Sequence, residues 1–397
     1  MTATRPAAPD APATGTILVV DDNELNRDLL SRRLKRDGHT VVVAEHGRAA
    51  LDRLAEQPFD LVLLDIMMPE LTGYEVLEIV KRDVSLRHIP VVMITAATED
   101  ESIVRCLSLG ADDHLPKPFN PAILRARVGS SLAKKRLHDA EQRHAQSLER
   151  ELEIGREIQL GFLPDELPAP GGYELRALFR PARQVAGDFY DSFVLADGRV
   201  ALVLADVCGK GVGAALFMAL FRSLLRALAE PQFAAAASVG EGLRATVQGT
   251  NDYIARTHGR ANMFATAFFG VLDPASGSLD YVNAGHELPV LVGAGGGVRA
   301  RLAPTGPALG LMPDLEFVVA SERLGPGETL FAYTDGVVDA RDPGDEAFGE
   351  ERLMELLGVE GRSAALLLAR VDAAVNDHVA GGAQFDDVAM LAVRRDS

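Results

Sequence analysis

The segment ILVVDDNE at residues 17–24 ends a short apolar run on two adjacent aspartates, Asp21 and Asp22. Four further short runs rich in β-branched residues follow, and segments with the apolar spacing of helices separate them. The five runs lie at 17–20, 40–43, 61–64, 91–94 and around Leu115. Strands and helices in alternation predict an α/β domain with a doubly wound, five-stranded parallel sheet.

Polar residues follow four of these runs, at positions that a parallel sheet brings to one edge. They are Asp21, Asp22, Asp65, Thr95 and Lys117. Neighbouring carboxylates repel one another unless a cation joins them, so the arrangement predicts a Mg²⁺ site. We expect the three aspartates to hold the ion together with the backbone oxygen of Met67.

The same sheet edge is suited to the transfer of a phosphoryl group onto a carboxylate. Asp65 is the predicted phosphoacceptor. Lys117 is predicted to pair with the phosphoryl oxygens, and Thr95 to donate a hydrogen bond to them. Each residue alone is more typical of a turn or a helix cap, so the prediction depends on the complete set.

Four segments carry a family resemblance, in the order VVDDNE, LVLLDIMMP, VVMITA and ADDHLPKPF. Over roughly the first 130 residues the chain resembles the CheY-like receiver domains of response regulators. The resemblance implies a flavodoxin-like receiver fold and phosphorylation by a sensor histidine kinase in a two-component system. His114 stands where such receivers usually carry an aromatic switch residue, and it is either a planar substitute for that residue or a surface histidine.

The composition divides the chain further. Residues 1–14 are rich in Ala, Pro and Thr and predict a disordered tail ahead of a receiver domain at 15–130. A helical pattern without interruption predicts a linker at 131–163, with Ala145, Leu148, Leu152 and Gly155 in a coiled-coil seam. We therefore expect a homodimer through the linker helix, with a monomeric helix lying on a domain as the alternative.

Residues 164–397 have a different texture, in which short β-type runs are joined by Gly, Pro and Asp turns. Strands are predicted at 200–204, 266–272, 279–282 and 329–333, and helices at 213–228, 239–256, 350–357 and 363–378. Long strands that bracket helices without strict alternation predict an α+β sandwich of antiparallel sheets flanked by helices.

Aspartates again follow or precede the predicted strands, at Asp188, Asp206, Asp335 and Asp386. A wide set of carboxylates predicts metal-assisted hydrolysis of a phosphate ester, in which two divalent cations activate a water molecule and no nucleophilic side chain is needed. Neither a Gly-x-Ser-x-Gly nor a Cys-x5-Arg motif is present. Ligands that offer oxygen only favour Mn²⁺ or Mg²⁺ over zinc.

The segments around these aspartates are VAGDFYD, VLADVCGKGVGAALFMA, LFAYTDGVVDA and QFDDVAML. Together with EIQLGFLP, LDYVNAGHELPVL, GPALGL and FGEERL, they resemble the SpoIIE-like branch of PPM-type metal-dependent serine/threonine protein phosphatases. The resemblance implies that Asp188, Asp206 and the carbonyl of Val207 hold the paired metals, while Asp335 and Asp386 complete the shell of the second ion. Ala186 replaces the first glycine of the usual Gly-Gly-Asp.

The same resemblance implies a substrate, because members of this branch dephosphorylate a phosphoserine on an anti-sigma-factor antagonist. An alternative from the binding class is a catalytically silent pseudophosphatase adaptor under receiver control. Such an adaptor is expected to have lost metal ligands, whereas all four aspartates are present. Cyclic-dinucleotide synthesis is disfavoured because AGDFYD lacks the glutamate and the first glycine of that signature.

Charge and cysteine content limit the partners and the compartment. A net charge of -17 argues against nucleic acid or an anionic membrane as the main partner. The two cysteines lie in different predicted domains, which fits a reducing compartment. Arg222 and Arg226 interrupt the apolar stretch 214–228 at helical spacing, so we expect a buried amphipathic helix and a cytoplasmic protein.

Overall fold

A computed structural model describes residues 14–96, 100–359 and 363–397. Except for Thr14, the predicted disordered tail lies outside these residues. The chain forms two compact units, residues 1–148 and 149–397.

The first unit contains the predicted five-stranded parallel sheet, in the order β2-β1-β3-β4-β5. Apolar clusters cover both faces of this sheet, and every residue of β3 is buried. The strands are β1 Thr16–Val20, β2 Thr40–Ala44, β3 Leu61–Asp65, β4 Val91–Ala96 and β5 Asp113–Lys117. The helices between them are α1 Glu24–Arg36, α2 Gly47–Glu56, α3 Gly73–Arg82 and α4 Asp100–Ser108.

The next helix, α5, is a single element of 40 residues, Pro121–Leu160. Its first turns bury Leu124, Val128 and Leu132, four residues apart, in the apolar core of the first unit. Leu148 is 47% exposed, as a residue in an unpaired seam would be. Gly155, another residue of the predicted seam, lies near Val185, since a methyl group placed on it would be 3.8 Å from Cγ1 of that residue.

The second unit contains two antiparallel five-stranded sheets, which confirms the predicted sandwich. One has the order β13-β10-β9-β8-β7 and the other β12-β11-β14-β15-β6. A cluster of buried side chains from both sheets fills the space between them. The strands are β6 Tyr173–Arg180, β7 Phe189–Val194, β8 Val200–Val207, β9 Ala265–Leu272, β10 Ser278–Ala284, β11 Val290–Val292, β12 Val298–Arg301, β13 Ala320–Arg323, β14 Thr329–Tyr333 and β15 Val388–Arg395.

Helices cover the outer faces of this sandwich. Helices α6 Val212–Ala235 and α7 Val239–His258 pack on the first sheet, and α8 Glu350–Leu357 and α9 Ala364–Val379 pack on the second. The prediction ended the first of these helices at residue 228, whereas the structure continues it through Pro231. Phe233 joins the core beyond the proline, and this burial accounts for the longer helix.

Helix α6 is long and apolar enough to cross a membrane by length and composition alone. Its buried face packs Met218, Phe221 and Leu225 into the core of the sandwich. On the same helix, Arg222 and Arg226 pair with Asp191, at N to O distances of 3.2 and 3.0 Å. These contacts support the interpretation of α6 as an amphipathic core helix.

Candidate functional site

The parallel sheet of the first unit brings the predicted receiver residues to one edge. Asp21 and Asp22 follow β1, and Asp65 ends β3. Carboxylate oxygens of these three residues all lie within 4.8 Å of one another. Asp21 and Asp65 are buried, while Asp22 is exposed to solvent. This spacing fits a single divalent cation with oxygen ligands.

Lys117, at the end of β5, lies inside this cluster. Its Nζ is 2.8 Å from Oδ1 of Asp65 and 3.1 Å from Oδ2 of Asp21. Burial lowers the pKa of Lys117, but its hydrogen bonds to the two carboxylates outweigh burial and leave the pKa raised. Burial raises the pKa of Asp65, and the bond from Lys117 opposes that shift. The lysine therefore partly compensates the charge of the cluster.

The remaining receiver residues surround Asp65. Thr95 on β4 is buried, and its hydroxyl has no hydrogen-bond partner. Met67 lies two residues after Asp65, with its side chain exposed. A Cβ on Gly73 would lie only 2.1 Å from the backbone oxygen of Asp65, so glycine is required where α3 begins. His114 pairs with Met93 across β5 and β4.

The second unit brings its aspartates together from both sheets. Asp188 directly precedes β7 and Asp206 lies on β8, while Asp335 follows β14 and Asp386 precedes β15. The two sheets therefore contribute two aspartates each to the junction between them. Among the residues described, the receiver trio is the one set of three possible ligands within 4.8 Å, so the four aspartates are more widely spread. A wider set suits two ions better than one.

Asp188 and Asp206 lie close enough to affect each other's pKa. Burial raises the pKa of Asp188 well above its usual value, and the charge of Asp206 raises it further. Burial likewise raises the pKa of Asp206. Oδ2 of Asp188 is buried without a hydrogen-bond partner. An unpaired buried carboxylate oxygen is costly, and a divalent cation would remove that cost.

The other two aspartates, Asp335 and Asp386, differ in whether a positive side chain pairs with them. Burial, followed by the charges of Asp206 and Asp386, raises the pKa of Asp335 to about 7. Asp386 instead pairs with Lys210, whose Nζ lies 2.7 Å from Oδ2. The same Nζ donates to the backbone oxygen of Phe385 at 3.0 Å. Lys210 thus pairs with one carboxylate at the rim, and its charge lowers the pKa of Asp206 without outweighing the effect of burial.

The loop that leads into Asp188 is held by Asp387, a residue to which the sequence analysis assigned no role. Its carboxylate accepts hydrogen bonds from the backbone N–H of Ala182 at 2.7 Å and of Gly187 at 2.9 Å. A Cβ on Gly187 would lie 2.7 Å from the backbone oxygen of Val207, so glycine allows this close approach. In the sequence, the only sign of this role was the second aspartate of the segment QFDDV.

Gln159, near the end of α5, was also missed. Its side-chain amide is bonded twice to the backbone of Ala186 in the same loop. Ala186 is buried and has no positive φ, so the methyl group that distinguishes it from glycine causes no backbone strain. EIQLGFLP was recognised as a motif, but a sequence cannot show what a buried glutamine contacts.

His286 in the Asn-Ala-Gly-His segment is buried and contacts neighbouring strands. Its Nδ1 lies 2.9 Å from the hydroxyl of Thr266, and its backbone N–H donates to Oδ1 of Asn283. Burial lowers the pKa of His286 to about 3, so the ring is neutral. Both contacts lie within the sheet that contains β9 and β10, and Nε2 of the ring is buried without a hydrogen-bond partner.

The family models match both halves of the chain. Residues 17–129 match the response regulator receiver domain, and residues 196–396 match Stage II sporulation protein E (SpoIIE). The second match spans just over half of the chain. The chain belongs to the SpoIIE family. This SpoIIE-family chain carries a receiver domain ahead of its phosphatase-type domain, as the two resemblances implied.

Curated relatives match parts of this SpoIIE-family chain. Protein IcfG of Synechocystis sp. is 46% identical over 263 residues, which are 62% of this chain and 41% of that protein. The transcriptional regulatory protein CpxR of Escherichia coli is 42% identical over 126 residues, 32% of this chain and 52% of CpxR. The chain thus spans less than two thirds of the length of these relatives.

A solved structure supports the fold of the second unit. The SiaA-PP2C domain of Pseudomonas aeruginosa aligns with a TM-score of 0.54 and 22% identity, covering 64% of this chain and 99% of that domain. Phosphatases of this type generally use Mn²⁺ or Mg²⁺, and receiver domains use Mg²⁺. A receiver also implies a phosphodonor such as a histidine kinase, and a phosphatase domain implies a protein substrate.

The donor sets of both units fit these ions. Carboxylate and carbonyl oxygens are the ligands that hard divalent cations prefer, and no thiolate or imidazole is among the predicted ligands. The orphaned oxygen of Asp188 and the carboxylate trio of the receiver are the observations that support the fit. A bound divalent cation would supply charge neutralisation and activation of water.

Proposed function

We propose that this protein is a response regulator in which phosphorylation of Asp65 controls a metal-dependent phosphoserine/phosphothreonine protein phosphatase. The observation that carries the proposal is the presence of two complete carboxylate sets in one chain. A pseudophosphatase adaptor would not need to keep Asp206 so close to Asp188 and Asp335 that its charge raises the pKa of both, because that arrangement is costly without a catalytic return.

In the receiver, a carboxylate oxygen of Asp65 attacks the phosphorus of a phosphohistidine on the partner kinase. The P–N bond breaks, its electron pair returns to the imidazole, and an acyl phosphate forms on Asp65. Lys117, already 2.8 Å from Asp65, pairs with the transferred group, and the free hydroxyl of Thr95 donates to it. Asp21, Asp22, Asp65 and the backbone oxygen of Met67 would hold Mg²⁺.

In the phosphatase domain, a water oxygen attacks the phosphorus of the phosphoserine and the bond to the serine oxygen breaks. The serine leaves as its hydroxyl after taking a proton, and the attacking water loses one. Asp188 and Asp206 would hold the paired Mn²⁺ or Mg²⁺ with the backbone oxygen of Val207, and Asp335 and Asp386 would complete the second ion's shell. Asp387 keeps the loop before Asp188 in place.

The proposed substrate is the phosphoserine of an anti-sigma-factor antagonist, within a partner-switching pathway in the cytoplasm. Membership of the SpoIIE family supports this class of substrate. The net charge of -17 supports a protein partner over nucleic acid or an anionic membrane.

The test is Mn²⁺-dependent phosphate release from such a phosphoprotein, with and without beryllofluoride as an acyl-phosphate mimic. We expect beryllofluoride to change the rate, Asp65→Asn to remove that change, and Asp206→Asn to lower release by at least about a hundredfold. Asp197→Asn, on the exposed turn between β7 and β8, is the matched control. Absence of release from any phosphoserine protein, with partner binding retained, would make the protein an adaptor.

We also propose a homodimer through the linker helix at about residues 132–160. Exposure of Leu137 and Leu148 in the single chain supports it. Replacing Leu148 and Leu152 with Glu is expected to give a monomer by light scattering. A monomeric parent, or an unchanged mass in the variant, would contradict the seam.

A further inference from the structure

The loop 182–187 ahead of Asp188 is fixed at its backbone by side chains from two distant parts of the sequence. Asp387 holds Ala182 and Gly187 from the start of β15. Gln159 holds Ala186 from the last turn of α5, within the second unit. Asp387 belongs to the predicted metal-site motif, whereas Gln159 belongs to the linker helix. The contact made by Gln159 therefore joins the linker to the predicted metal loop.

The Gln159 contact is unusually specific for a helix side chain. Its Nε2 donates to the backbone oxygen of Ala186 at 2.6 Å, and its Oε1 accepts from the N–H of the same residue at 3.0 Å. Both residues are buried. Two opposed hydrogen bonds to the N–H and C=O of one residue fix the two peptide groups on either side of Ala186, as a strand partner would.

Displacement of Ala186 would reach the predicted ligands directly. Gly187 is the next residue, and it packs so closely on the backbone oxygen of Val207 that a Cβ there would lie 2.7 Å from it. Asp188 follows at once. The geometry of one predicted carboxylate ligand and the access to one predicted carbonyl ligand thus depend on the placement of Ala186.

The neighbours of Gln159 show that its burial is selective. Glu157, Ile158 and Leu160 are exposed, and Gly155, one turn earlier on the same face, lies near Val185. A buried glutamine costs free energy unless both groups of its amide are bonded, and here both are. The last turn of α5 therefore presents one polar side chain to the loop.

We propose that Gln159 is a positioning residue that sets the affinity of the phosphatase domain for its divalent cations. Through it, the linker helix controls the geometry of the metal loop. The inference depends on the proposed function for the identity of the metal ligands. Gln159 contacts neither the substrate nor the reacting atoms in this scheme, and it acts through the backbone of Ala186.

The test measures Mn²⁺ binding to the full chain by calorimetry and by the paramagnetic resonance of free Mn²⁺. The background is Asp22→Asn, which weakens the receiver site. Gln159→Met keeps the length of the side chain without hydrogen bonds, and Gln159→Glu replaces its donor with an acceptor. We expect affinity to fall about tenfold or more in both, as for other residues that orient metal ligands. Gln146→Met and Gln146→Glu, exposed on the same helix, are the matched controls.

A second readout separates positioning from general destabilisation. Phosphate release by the Gln159 variants is expected to need about tenfold more Mn²⁺ for half-maximal rate, with kcat restored at saturating Mn²⁺. If Gln159→Glu does not fold, as judged by thermal unfolding, Gln159→Met decides. Parental Mn²⁺ affinity in a folded Gln159→Met variant would overturn the inference. Because binding is measured without a phosphoprotein, a parent that binds Mn²⁺ but releases no phosphate would refute the proposed function alone.

Discussion

The two carboxylate clusters of this chain differ in where their positive charge comes from. In the receiver, Lys117 lies between Asp21 and Asp65, within 3.1 Å of both. In the phosphatase domain, Lys210 pairs with Asp386, while Asp188 keeps a buried oxygen without a partner. In the first cluster the lysine lies between two carboxylates, whereas in the second it pairs with one carboxylate at the rim. Similar residue types therefore produce one cluster whose buried carboxylates are paired with a lysine and one in which a buried carboxylate oxygen has no partner.

The first prediction removes the internal cation of the receiver. Lys117→Met leaves Asp21 and Asp65 facing each other uncompensated, so the receiver is expected to lose about 2–3 kcal/mol of unfolding free energy without metal. Urea unfolding of the full chain, followed by hydrogen exchange in receiver peptides, measures the loss. Lys210→Met is the matched change in the other cluster, where we expect about 1 kcal/mol or less because Asp386 is partly exposed. Equal losses of unfolding free energy in Lys117→Met and Lys210→Met would show that the two clusters do not differ in this way.

The second prediction concerns the phosphatase domain, where removing a charge is expected to stabilise the metal-free protein. Asp188→Asn removes one charge from the buried pair with Asp206, and we expect it to stabilise the metal-free domain by about 1–2 kcal/mol. With saturating Mn²⁺ the parent should become the more stable protein, since the variant has lost a ligand. Hydrogen exchange in peptides of the phosphatase domain measures the stability of the metal-free protein in EDTA and of the metal-bound protein in Mn²⁺.

For this second prediction the matched control is Asp197→Asn, which alters an exposed aspartate on the turn after β7. Because it removes a surface pair with Arg199, it should lower stability by about 1 kcal/mol or less, and by the same amount with EDTA and with Mn²⁺. A loss of stability in metal-free Asp188→Asn would show that the cluster is compensated by contacts other than a cation.

The third and smallest prediction concerns pH. The folded pKa of His286 is about 3, below the ordinary value of 6.5, so the folded domain binds fewer protons than the unfolded chain between these values. The stability that His286 contributes is complete above pH 6.5 and is lost as pH falls toward 3. From pH 6.5 to 5.5 the parent should lose about 1 kcal/mol more than His286→Asn, by urea unfolding in EDTA. If the stabilities of the parent and of His286→Asn depend on pH in the same way, then the folded ring either keeps its proton or has a negatively charged partner.

Much of the architecture was predictable because it depends on local patterns. The five receiver strands appear within one or two residues of their predicted bounds, since short β-branched runs between helical segments allow few other arrangements. The end of α6 was not predictable, because Pro231 is a local signal to stop and the burial of Phe233 overrides it. Tertiary packing thus changed one helix without changing the fold.

The sites divide in the same way. The sequence was sufficient to select Asp21, Asp22, Asp65, Thr95 and Lys117, because parallel strands bring their carboxyl ends to one edge whatever the details of packing. Motifs in a fixed order also predicted Asp188, Asp206, Asp335 and Asp386 as metal ligands, and the structure brings two of them from each sheet to one junction.

The tertiary structure alone decided which side chains hold the loop ahead of Asp188. The contacts of Gln159 with Ala186 and of Asp387 with Gly187 join residues 27 and 200 positions apart. Their partners are backbone N–H and C=O groups, which every residue type carries and which leave no trace in the pattern of side chains. Residue types and their order predicted the chemistry, while the packing of distant segments determined how the loop ahead of Asp188 is held.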